Sequence, residues 1–133
     1  MNGDRVRFIT HRGQRILLVE YDGCTAAQFS TICDLVPSYV TAEPKGSVLL
    51  LADFTNAQMD REGLEHLKKA TVFDRPHLKR SAWVVTNGFP KAFYENVKAF
   101  SVRDLPTFNT REQALSYLVA EDEDETRELA SPA

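Results

Sequence analysis

Three apolar stretches of the chain end in residues able to do chemistry: Asp22 with Gly23, Asp53 with Thr55, and Thr86 with Asn87 and Gly88. In open α/β sheets ligands sit beyond the carboxyl ends of the strands, so these positions are the first to test. An acid at one strand end and a hydroxyl nearby are part of what phosphoryl acceptance on Asp53 would need. That chemistry also requires an acidic cluster after the first strand and a lysine after the last. Here Asp22 stands alone, and the last strand runs into Phe108-Asn109-Thr110. Asp53 and Thr55 are therefore expected to cap a loop by bonding nearby backbone N–H groups.

Other chemistries lack their signatures. His11, His66 and His77 are scattered over a strand end, a helix and a loop, and surface or turn roles are expected for them. No G-x-G-x-x-G, Walker-type loop, H-E-x-x-H or G-x-S-x-G occurs, so no cofactor and no enzyme are expected. Cys24 and Cys33 form neither a C-x-x-C nor a zinc-type spacing, and both are expected to be inert, buried thiols. Lys68, Lys69, Arg75, His77, Lys79 and Arg80 concentrate positive charge in one region. A solvated face accounts for it, with an acidic partner or an anionic lipid head group as the functional alternatives. Nucleic acid is not expected, because aromatics are not interleaved with those bases.

The elements that must position these residues follow from hydrophobic periodicity. Residues 5–11 and 15–21 read as two strands joined around Arg12-Gly13, a turn whose glycine can take positive φ. From Thr25 onward, Phe29, Ile32, Cys33 and Val36 recur at the spacing of a helix face, and Pro37 is expected to end or bend that helix. Glu43-Pro44-Lys45-Gly46 makes the next loop. Val48 to Asp53 is apolar on both faces, as in a central, doubly covered strand. Asp60 is placed to cap a helix carrying Leu64, Leu67 and Thr71 on one face. A strand over 80–86, a short helix over 89–100 and a brief strand near 104–108 come next. Thr110-Arg111-Glu112-Gln113 then matches a capping box ahead of Ala114, Leu115 and Leu118. The expected fold is α/β in the order ββαβαβαβα. It has a mixed, mostly parallel sheet, an N-terminal antiparallel hairpin and helices packed on the sheet.

Size and charge fit this reading. A chain of 133 residues can bury a core as one domain. Its longest apolar run, Val48 to Ala52, is far short of a membrane span, and Arg5, Arg7 and Arg12 interrupt any leader-like stretch, so a cytoplasmic protein is expected. Residues 121–133 contain six acids and one base, so the −3 of the whole chain leaves the first 120 residues at +2. The expectation is one domain over 1–120 and an acidic, disordered tail over 121–133.

Gly46-Ser47-Val48-Leu49-Leu50-Leu51-Ala52-Asp53, Leu78-Lys79-Arg80-Ser81-Ala82-Trp83-Val84-Val85 and the stretch from Phe108-Asn109-Thr110-Arg111 to Leu118 carry a resemblance. With the opening hairpin and the order of elements, residues 5–119 resemble the SpoIIAA-like (STAS/SEC14-type) small bacterial proteins of the STAS superfamily. Anti-sigma-factor antagonists of that superfamily bind a regulatory kinase. They are switched off by phosphorylation of a serine in an Asp-Ser-Ser-Gly-Leu motif at the start of the second helix. The matching stretch here is Asp60-Arg61-Glu62-Gly63-Leu64, in which Asp, Gly and Leu are kept and both serines are gone. Phosphate cannot be added there, and Arg61 and Glu62 read as an ordinary exposed first turn, with Glu62 suited to the helix dipole.

The resemblance implies a non-enzymatic regulatory domain that binds a protein partner without the usual phosphorylatable serine. The surface would be Thr55, Asp60, Arg61, Glu62, Lys68 and Lys69. Another branch of the superfamily binds lipid-like molecules. On that alternative a lipid or other small apolar ligand would lie against Asp22, Asp53, Asn87, Phe89 and Phe93.

Overall fold

The computed structural model describes residues 2–86, 91–92, 94–95 and 106–130. Its sheet has five strands in the order β1-β2-β3-β4-β5, comprising β1 Val6–His11, β2 Gln14–Glu20, β3 Val48–Asp53, β4 Leu78–Val84 and β5 Thr107–Phe108. β1 and β2 are antiparallel and the remaining neighbours are parallel. The expected α/β class and mixed sheet with a leading hairpin are both present.

Arg12 and Gly13 form the hairpin turn with φ of 51° and 79°, and His11 pairs directly with Gln14. Two successive positive φ values give the turn whose twist matches a two-residue hairpin. Helix α1, Ala26–Val40, starts with a full capping box: the Gln28 N–H donates to the Thr25 hydroxyl, and the Gln28 side chain accepts from the Thr25 N–H. The sequence stops or bends this helix at Pro37; in the structure it continues to Val40. Pro37 removes one helical hydrogen bond. The buried side chains of Val36 and Val40 hold the last turn on the core, and Thr41 bonds the Pro37 carbonyl through both its N–H and its hydroxyl, at 2.8 and 2.7 Å.

Helix α2 spans Arg61–Asp74 and α3 spans Arg111–Ala130. The backbone of α3 thus runs helically through the first ten residues of the acidic segment set apart as a tail by its composition. β4 begins two residues before the expected start because Leu78 already pairs with Val48, with a register shift between Val48 and Leu49. The segment expected as a helix over 89–100 lies largely outside the described residues.

Alternation along the strands sorts the core into two layers. Leu17, Val19, Leu50, Ala52 and Trp83 face α1 and α2, while Ile16, Leu18, Leu49, Leu51, Ala82 and Val84 face Ala114, Leu118 and Val119 of α3. Each Val, Leu or Ile side chain among them contributes about 1.5–3 kcal/mol by leaving water. β3 is buried along its whole length, which is why its run is apolar on both faces. Cys24 and Cys33 are free and buried, as expected.

Candidate functional site

The ends of β2 and β3 bring together acids that lie far apart in the sequence. Tyr21 N–H bonds the Asp53 carbonyl and Gly23 N–H bonds the Thr55 carbonyl, both at 2.9 Å, so the two loops leave the sheet side by side. Asp53 is 4% exposed. Its Oδ1 accepts from both the N–H and the hydroxyl of Thr55, at 3.0 and 2.6 Å. This is the local cap expected from the residue types. The Oδ2 accepts from Arg111 Nε at 2.5 Å, and the same guanidinium reaches Glu20 Oε2 at 2.8 Å and Asp22 Oδ1 at 3.2 Å. Arg7 pairs with the other oxygen of Glu20, while Arg5 donates to the carbonyls of Glu20 and Asp22.

Three carboxylates therefore share the guanidinium of Arg111 at the carboxyl edge of the sheet, with Arg7 on one of them and Arg5 on the neighbouring backbone carbonyls. Partial burial works against charge on Glu20, but hydrogen bonds from Arg7 and Arg111 hold its carboxyl below the ordinary range. Arg111 is partly buried too, and its bonds to Asp53 and Glu20 hold its proton more firmly than usual. Both Asp53 oxygens are engaged by charge-assisted or hydroxyl hydrogen bonds. The arrangement ties the start of α3 to β2 and β3 and leaves Asp53 poorly suited to act as a nucleophile.

Neither Glu20 nor Arg111 is an expected site residue, and Arg111 enters the sequence reading only within the capping-box stretch. Arg111 carried a signal: a cation in the first turn of a helix opposes the helix dipole and needs an acidic partner. Its partners come from sequence positions 58 to 91 residues away, which spacing alone cannot show.

The second group of expected residues lies along α2. Asp60 caps the helix by accepting from Gly63 N–H at 2.7 Å. A Cβ on Gly63 would stand 2.9 Å from Phe29 Cδ1, so the glycine lets α2 approach α1 closely. His66 Nδ1 meets Asp34 at 2.7 Å across the same helix pair. The Asp and Gly of the Asp60–Leu64 stretch thus have structural work independent of any switch. Arg61, Glu62 and Lys69 are exposed, whereas Lys68 is half-buried with Glu65 at 3.4 Å. Thr55 is turned to Asp53 and does not join this face. On the outer side, the last turn of α2 presents Val72 and Phe73, 39% and 52% exposed, the large apolar side chains left open among the described residues.

On the alternative surface Asp22 and Asp53 come together, but through Arg111; Asn87, Phe89 and Phe93 lie outside the described residues. Among the described residues no three His, Cys, Asp or Glu converge to hold a metal ion. Among them, too, no helix is long and apolar enough to cross a membrane. No family model, curated protein or solved structure matches the chain.

Proposed function

We propose that this chain is a SpoIIAA-like domain of the STAS superfamily that works without catalysis, by binding a regulatory protein partner through the outer face of α2. The observation that carries this reading is the exposed Val72-Phe73 pair, flanked by the exposed Lys69. A half-exposed aromatic bordered by charge is the usual anatomy of an interface anchor. The leading hairpin, the mixed sheet and the Asp60 and Gly63 contacts at the start of α2 support the family reading. Arg61 and Glu62 stand where a phosphorylatable serine would lie, so binding on this reading is not switched at that place.

Affinity purification after in-cell crosslinking tests the proposal, comparing the wild type with Phe73→Asp and Lys69→Glu. Loss of an aromatic anchor costs about 2 kcal/mol or more, so recovery of the partner is expected to fall at least about tenfold. Thermal denaturation is expected to change little, since these side chains are exposed. Undiminished recovery of the same protein with both variants rejects α2 as the docking face.

A further inference from the structure

The inner side of α2 holds a feature that neither the partner reading nor the strand-end cluster uses. Between the helix and the sheet lies a cavity of about 50 Å³ lined by Leu50, Leu67, Ser81 and Trp83, with Asp74 in its wall. Asp74 is only 5% exposed, and its Oδ1 has no hydrogen-bond partner among the described residues. An unsatisfied carboxyl oxygen in an apolar wall costs free energy, and such groups mark functional places more often than surface acids do. Burial pushes the Asp74 carboxyl from its ordinary 3.8 up to about 7. The position compounds the cost, because an acid at the carboxyl end of a helix also faces the negative end of its dipole.

We propose that this cavity is a binding site for a slender apolar molecule bearing one hydrogen-bond-donating head, a hydroxyl or an ammonium, which donates to Asp74 Oδ1. The apolar body lies against Leu50, Leu67 and Trp83, and the head supplies the donor that the protein leaves out. The volume limits the size. It is about one third of the roughly 150 Å³ apolar cavity that takes up benzene, so a chain of about two carbons fits where a larger body does not. The site is separate from the proposed docking face, because Phe73 points outward and Asp74 inward.

Trp83, the single tryptophan of the chain, lines the cavity and reports on it by fluorescence. The test titrates the wild type with ethanol, ethylamine and dimethyl ether, the last an isomer of the alcohol without a donor. The alcohol or the amine is expected to give a saturable change with about tenfold higher affinity than the ether, the factor a hydrogen bond to a carboxylate supplies. Backbone amide shifts on binding are expected at Thr71, Asp74 and Ser81. In Asp74→Ala the preference for a donor is expected to disappear. No saturable response, equal affinity for the isomers, a preference kept in Asp74→Ala, or shifts confined to Val72 and Phe73 would each overturn the proposal. The wild-type comparison needs no variant, so a poorly folding Asp74→Ala leaves the test intact.

Discussion

Asp53 and Asp74 are both aspartates at the carboxyl end of an element, 4% and 5% exposed, yet their surroundings are opposite. Asp53 meets two donors from Thr55 and one from Arg111, within a cluster that also pairs Glu20 and Asp22. Asp74 has an oxygen without a partner among the described residues and a carboxyl whose proton is held up to about pH 7. Burial of a charge is tolerated where partners replace water and opposed where they do not. The first aspartate locks a helix to the sheet; the second is a standing cost, relieved by a proton or by a ligand's donor.

The largest effect expected from this contrast is a pH dependence tied to Asp74. The folded carboxyl keeps its proton to about pH 7 and the unfolded one releases it near 3.8, so the folded state binds more protons between those values. Stability contributed by this group is thus full below that window, falls as pH rises through it, and levels off above, by on the order of 4 kcal/mol at most. Glu20 acts in the opposite sense: its lowered carboxyl contributes stability above its ordinary 4.5 that is lost as pH falls through the folded value. Urea denaturation of wild type and Asp74→Asn near pH 4 and about pH 8 separates the two, because only the Asp74 contribution disappears in the variant. The variant is expected to gain relative to wild type as pH rises, and parallel profiles would remove Asp74 from the comparison.

Removing the partner from Asp53 should come next in size. Arg111→Met leaves a buried carboxylate facing Glu20 and Asp22 without its shared cation, and a loss of about 3 kcal/mol is expected at neutral pH. Arg111→Lys should recover only part of it, since an ammonium cannot present the guanidinium's fork to three acids. Equal stability of Arg111→Met and wild type by urea denaturation would show that the cluster is not a lock. The smallest change sharpens the comparison from the other side of the same carboxylate. Thr55→Val deletes the hydroxyl donor at 2.6 Å while keeping the backbone donor, and a loss of about 1–2 kcal/mol is expected. A loss as large as that of Arg111→Met would mean the local cap, not the distant arginine, satisfies Asp53.

Much of this was open to reading from residue order. The hairpin followed from Arg12-Gly13 between alternating strands, the Asp60 cap from its place before a helical stripe, and the Asp53–Thr55 bond from the habit of such pairs in turns. Pro37 misleads because local preference stops a helix there, whereas buried Val36 and Val40 carry it one turn further. Asp74 had a legible trace: it falls on the stripe of Gly63, Leu67 and Ala70, an acid on an otherwise apolar helix face. The trace says that Asp74 is turned inward but not whether a donor awaits it.

By itself the sequence determined the order of most described strands and helices and which faces of them are buried, because side-chain period and capping chemistry act over a few neighbouring positions. Only the tertiary structure decided which buried acid is paired. That outcome depends on whether a cation from a distant element arrives within hydrogen-bond reach, as Arg111 does at Asp53 and no described residue does at the Asp74 Oδ1.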